Sequence, residues 1–191
     1  MRQAFEDKIF DNFDFKNEYN HEYNDCTFNN CNFTNSQFNS AELVDCTFVD
    51  CNLSMTVFDN ATLNKVAFKK CKIMGVDFSK CSKFLFSLGF DSCVLNYSVF
   101  HKNELKNTVF RNCKINESSF LETNLFAAKF IECDLNKSVF DRANLENADF
   151  STSYNYSINP NNNKLKKTKF SLPEVVGLLD NLDIVINQVS N

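Results

Sequence analysis

Nine cysteines and two histidines are the residues of this 191-residue chain whose types suit covalent or metal chemistry. Cysteine at that density suggests disulfides, a metal ladder or a nucleophile. The spacing argues against the metal ladder, and the reducing conditions of the expected cytoplasmic setting disfavour disulfides. Cys31, Cys51 and Cys71 stand 20 residues apart, as do Cys93, Cys113 and Cys133. Zinc sites instead pair their thiolates a few residues apart, as in C-x-x-C. His21 and His101 are too few for a His-rich zinc enzyme. Three glycines, at 75, 89 and 177, cannot build a G-x-G-x-x-G turn or a P-loop. With no nucleophile–base pair in view, the chain is expected to be no enzyme and to need no cofactor or metal.

The elements that position the cysteines follow a period of five. A large apolar residue recurs at Phe28, Phe33, Phe38, Leu43, Phe48, Leu53, Phe58, Leu63, Phe68, Ile73 and Phe78. A second series runs Phe90, Leu95, Phe100, Leu105, Phe110, Ile115, Phe120, Leu125, Phe130, Leu135, Phe140, Leu145 and Phe150. That period fits neither a 3.6-residue helix nor a two-residue strand, so it belongs to a repeat longer than one element. Two residues before each large one lies a second column, mostly small: Cys26, Cys31, Ser36, Ala41, Cys46, Cys51 and onward. Eight of the nine cysteines occupy it. Residues two apart on a strand share a face, so one small and one large residue point inward, and three polar residues face water. Asn, which tolerates left-handed backbone, is abundant where corners must fall.

This pattern predicts an all-β solenoid with an inward ladder that includes Phe28, Phe48, Phe68, Phe90, Phe110, Phe130, Phe150, Leu53, Leu105 and Leu135. The cysteines become small buried hydrophobes. Segments such as CNFTN, ANLEN and ADFST carry the motif A(D/N)LXX, so the chain resembles the pentapeptide-repeat family. That resemblance implies a right-handed quadrilateral parallel β-helix with four pentapeptides, about 20 residues, per coil. The expected division is an N-terminal cap over residues 1–22, the β-helix over 23–152, and a C-terminal segment over 153–191.

Three features depart from the pattern. Phe90 follows Phe78 by twelve residues instead of ten. Leu85 keeps register with Phe90 and is expected inside, leaving Phe84, Phe86 and Leu88 to compete. The break is either a kink between two sub-rods or a contact point at Phe84. Leu121, Phe126 and Ile131 each come directly after an inward residue and are expected to face out, as a contact surface or under a returning tail. The third feature is charge. Residues 1–62 carry 11 acidic and 3 basic side chains, whereas residues 63–114 carry 3 acidic and 10 basic. This belt, with Lys65, Lys69, Lys70, Lys72, Lys102, Lys106, Arg111 and Lys114, would suit an acidic protein or nucleic acid, or simply lie solvated. No outward aromatics interleave with these bases, so direct nucleic-acid binding is not expected.

After Phe150 the chain turns polar. Ser171 with Glu174 reads as a capping box, and Leu172, Val175, Val176, Leu178, Leu179 and Leu182 form one apolar helical stripe. Ile184 to Ile186 reads as a strand. Either the segment only caps the open end of the solenoid, or it also forms a two-fold dimer. The stretch FLFSLGFDSCVLNYSVF and the ending SINPNNNKLKKTKFSLPEVVGLLDNLDIVI resemble the quinolone-resistance and microcin-immunity branch of the family. That resemblance implies a homodimer through the C-terminal segment, binding DNA gyrase or topoisomerase IV and protecting it from inhibitors by mimicking DNA. The two loops that commonly project in that branch have no counterpart here, and a basic belt at mid-length does not suit simple DNA mimicry. The alternative is an interaction scaffold with an unrelated partner. A polar N-terminus and the lack of a long apolar run place the expectation in the cytoplasm, away from membranes.

Overall fold

A computed structural model describes residues 2–14 and 20–187. Its strands are short, mostly three residues each, because every fifth residue must turn a corner. They are β1 (Ala4–Glu6), β2 (Ile9–Asp11), β3 (Glu22–Asn24), β4 (Thr27–Asn29), β5 (Glu42–Val44) and β6 (Thr47–Val49). Next come β7 (Thr62–Asn64), β8 (Val66–Lys69), β9 (Leu88–Asp91), β10 (Val109–Arg111) and β11 (Lys129–Ile131). All pair in parallel, β2-β4-β6-β8-β9-β10-β11 on one face and β1-β3-β5-β7 on another. The two remaining faces join through single parallel bridges, such as Asn32 to Asn52 to Lys72 and Gln37 to Val57. The result is a right-handed, four-sided parallel β-solenoid.

Each face carries one inward column. The first, centred on Phe28, stacks Phe48, Phe68, Phe90, Phe110, Phe130 and Phe150 at centroid distances of 4.5–5.4 Å. The third, opposite, stacks Phe38, Phe58, Phe78, Phe100, Phe120 and Phe140. The two Phe columns meet edge to face, as in Phe110 against Phe120 at 90°. That alternation is the arrangement aromatic quadrupoles favour. The second face buries Leu53 and Leu135 and the fourth buries Leu105, all with no exposed surface. The small column beside them adds buried polar side chains, among them Ser98, Asn103 and Thr123.

The corners lie two residues after each inward one, in left-handed backbone. Asn30, Asn35, Asp45, Asp50 and Asn60 are there, but so are Met55, Lys65, Tyr97 and Ala127. Coil-to-coil hydrogen bonds, for instance Phe33 N to Asn52 O at 2.7 Å, hold even residues that dislike this conformation.

The coils extend past the boundaries expected from spacing alone. Phe10 stacks on Phe28 at 5.0 Å and Phe5 on Tyr23 at 5.3 Å, so the start of the chain is already coiled. At the other end Phe170 stacks on Phe150 at 5.7 Å, and Ile158 and Leu165 continue neighbouring columns. The series skips the first because Phe10 lies 18, not 20, residues before Phe28, and it stops before the second because Asn155 and Pro160 interrupt a period that Leu165 and Phe170 then resume.

Two local expectations are corrected. Leu85 is not inside: it occupies a left-handed corner at φ 52° and is 57% exposed, while Phe86 is buried in its place. The extra residues are taken up by a 3₁₀ turn at Phe78–Lys80 and a loop that leaves Phe84 70% exposed. Phe86 carries more apolar area than Leu85, so seating it inward is favoured. The C-terminal capping box also fails to form. Ser171 donates its hydroxyl to Ser151 O, and Glu174 accepts from Asn155 N. Both side chains are thereby spent on the last coils. The chain then winds into a five-residue 3₁₀ helix, Glu174–Leu178, and residues 183–187 form no strand.

Candidate interaction surfaces

The thiols, the most reactive groups by type, lie out of reach. All nine cysteines are free and buried. Those of the ladder point back at the preceding coil: the thiol of Cys51 donates to Phe28 O at 3.2 Å, Cys71 to Phe48 O, Cys93 to Phe68 O, and Cys133 to Phe110 O. Thr56, Ser98, Ser118, Thr123 and Ser153 make the same bond with hydroxyls. The small column is therefore a column of donors as well as spacers. Burial pushes Cys46 and Cys81 up to about 12, and the neighbouring Cys51 sulfur, then burial, do the same to Cys71. Cys51 and Cys113 are drawn the other way, because thiols of the coils on either side can donate to them, and burial opposes that pull. A thiol sealed inside the coils is a poor nucleophile and a poor metal ligand. Cys81, which spacing places in the irregular stretch, is buried too, and its N–H donates to Phe78 O as that of Ala61 in the small column does to Phe58 O. Among the described residues no cluster of His, Cys, Asp and Glu could hold a metal.

The other candidate residues lie on the outside of the coils. Phe84 projects from the break, and the loop beneath it is tied by Lys83 Nζ to Ser79 O at 2.9 Å. Of the outward trio, Phe126 is exposed, while Leu121 and Ile131 are only half-exposed. They stand on three successive faces and form no single patch. No described tail residue covers them as a lid, since the segment after Phe170 lies against Tyr156 and Ile158: Ile158 N donates to Gly177 O at 3.0 Å.

The basic belt divides in two. Around the fourth face the bases are paired: Lys65 with Asp45 at 3.3 Å, Lys102 with Glu122 at 3.4 Å, and Lys106 with Glu104 at 3.1 Å. Glu122 also holds Arg142 at 3.1 Å, with His101 nearby at 3.9 Å. Lys69, Lys70 and Arg111, on the first face and its corner, are exposed, and no carboxylate among the described residues reaches them. Charge counting along the chain does not separate these groups; only their columns do.

The C-terminal end carries the largest apolar exposure. Leu172, Val176, Leu179, Leu182, Ile184 and Ile186 are exposed, whereas Val175 and Leu178 are half-buried, Leu178 against the core. The expected stripe is therefore split, part of it capping the coil and part of it facing outward.

A four-sided coil with Phe, Leu and small donors at fixed places is the architecture of a pentapeptide-repeat protein. The profile of the pentapeptide repeat region matches residues 21–84 and 82–170, so the chain belongs to that family. Its structure is similar to trypsin-treated QnrB1, a plasmid-mediated fluoroquinolone resistance protein, with 22% identity, 98% of this chain and 92% of that one covered, and a TM-score of 0.53. Full-length QnrB1 gives 17% identity, 95% and 100% coverage, and 0.54. HetL, a pentapeptide-repeat protein involved in heterocyst differentiation regulation in the cyanobacterium Nostoc sp. strain PCC 7120, gives 12%, 89% and 88%, and 0.54. A comparison with curated protein sequences finds no match. At these identities the solved structures speak to the fold. No described helix is long and apolar enough to cross a membrane.

Proposed function

We propose that the chain is a non-catalytic, protein-binding rod whose partner is DNA gyrase or topoisomerase IV, and that it protects that enzyme from inhibitors. The observation that carries the non-catalytic part is the buried, hydrogen-bonded state of the cysteine column, which leaves surfaces as the means of action. The partner rests on the resemblance of residues 84–100 and of the C-terminal segment to the quinolone-resistance branch. The exposed Leu172, Val176, Leu179, Leu182, Ile184 and Ile186 support a two-fold dimer built from the C-terminal ends. Purified protein at micromolar concentration is expected to bind gyrase and to relieve quinolone-stabilised DNA cleavage. Absence of both binding and relief would reject the topoisomerase reading.

A second reading, a general interaction scaffold or structural rod with another partner, is favoured by the unpaired bases of the first face. An even array of negative charge is what a duplex mimic needs, and Lys69, Lys70 and Arg111 interrupt it. Affinity capture with the full chain discriminates the two: recovery of topoisomerase subunits counts against the scaffold.

A further inference from the structure

The second face carries two features that the topoisomerase reading does not use. Lys72 and Lys114 flank Val94 in one outward bridge column. Beside them, across the corner, Lys69 and Arg111 flank Asp91 on the first face, with Lys70 between the faces. Among the described residues no carboxylate pairs with any of these five bases. At the opposite corner of the same face a groove of about 350 Å³ is lined by Ser54, Met55, Lys72, Met74, Gly75 and Tyr97. It exists because Gly75 sits between two large corner residues, Met55 and Tyr97, which are 57% and 52% exposed, so an outward aromatic does stand beside the bases where the sequence suggests none. The backbone there is left-handed, at φ 68°, and a Cβ on Gly75 would strike Met55 Sδ.

We propose that this face docks an acidic helix of a partner protein, which sets one bulky apolar side chain into the Gly75 groove. Spacing supports a helix. Coils repeat every ~4.8 Å, so bases two coils apart, Lys72 and Lys114 or Lys69 and Arg111, stand about 10 Å apart. Acidic residues seven apart on a helix are separated by about 10.5 Å along its axis. A helix lying parallel to the rod therefore meets both bases of a column with one face. Unpaired bases lose no existing ion pair on binding, and the groove supplies the desolvated anchor that charge alone lacks. Docking of this kind is open to a topoisomerase and to any other partner that carries such a helix.

The test uses a fluorescein-labelled, alanine-based helical peptide with Glu residues seven apart and one Phe on the same side, titrated with the full chain by anisotropy. At about 150 mM salt, where charges beyond about 8 Å are screened, binding is expected. It should weaken about tenfold in the Lys72→Glu, Lys114→Glu double variant, and severalfold for Tyr97→Ser or for a peptide with Phe replaced by Ser. The Lys65→Glu, Lys106→Glu variant on the paired side should bind as the parent does. All these positions are solvent-facing, and each variant's melting curve reports its folding. Equal binding by all variants, or none by the parent, would overturn the proposal. So would a DNA duplex that displaces the peptide and binds more tightly, since the face would then be a phosphate-backbone surface.

Discussion

The thiol of Cys51 donates a 3.2 Å hydrogen bond to the carbonyl oxygen of Phe28, twenty-three residues earlier and one coil away. Position and chemistry coincide in that bond. The small inward column must leave room for the Phe rings, yet it also faces carbonyls that need donors, and Cys, Ser and Thr satisfy both demands. Cysteine therefore accumulates here for packing and hydrogen bonding.

Its thiols should be inert in the native state. With a small alkylating reagent at neutral pH, the folded chain is expected to show no rapidly labelled cysteine, and denaturant should expose all nine. Mass spectrometry reads the count; fast native labelling of any one cysteine would contradict the buried column.

Stability should fall in alkali. Cys46 and Cys81 titrate at about 12 when folded, against an ordinary 9.0, so below pH 9 both states hold the proton and their contribution is complete. Above pH 9 the unfolded chain releases protons that the folded one keeps, and stability is lost progressively toward pH 12. Urea midpoints measured from about pH 8 to about pH 11 should decline for the parent and decline less for a Cys46→Ala, Cys81→Ala variant.

Phe110 and Asn112 separate inside from outside. Phe110→Ala removes a fully buried ring stacked at 5.1 and 4.7 Å on two neighbours, and should cost about 3–5 kcal/mol. Asn112 has φ 50°, so Asn112→Ala should cost only about 1 kcal/mol, through backbone strain. Equal losses in chemical denaturation would show that the inward register is misassigned.

The break offers a similar contrast over two residues. Phe86→Ala should destabilise by about 3 kcal/mol, whereas Phe84→Ala, at an exposed site, should change stability by less than about 0.5 kcal/mol. If Phe84 is the costly one, the loop is wound the other way.

The tail has a test of its own. The intact chain is expected to scatter light as a dimer, and removal of residues 171–191 should yield a monomer or an aggregate. Gly177→Ala should act alike, because a Cβ there meets the carbonyl of Tyr156 and must push the segment off the last coil. A monomeric intact chain would reject the dimer.

The regular part of the fold is legible in the sequence because each coil repeats one packing problem. Phe28, Phe48 and Phe68 declare their column by spacing alone. Spacing counts residues, however, and takes no account of how a corner closes. For that reason it puts Leu85 inside, where the chain instead seats Phe86. The β-branched run Ile184 to Ile186 suggests a strand, but no described neighbour offers it a partner. The candidate surfaces are less legible. Lys102 and Arg111 look alike in the sequence, and only the fold brings Glu122, twenty residues on, within 3.4 Å of one and no described carboxylate to the other.

The twelve-residue step from Phe78 to Phe90 also bears on how the chain finds its place. Wherever the coils are twenty residues long, a segment wound one coil out of step would still lay Phe on Phe and Leu on Leu. Such mis-threaded forms would compete closely with the native one. The extra residues break that degeneracy: a slip across them would put Lys83 or Leu85 where Phe86 belongs and strand the corner at Gly75. The irregularity thus serves as an index mark, fixing which coil is which along an otherwise self-similar thread.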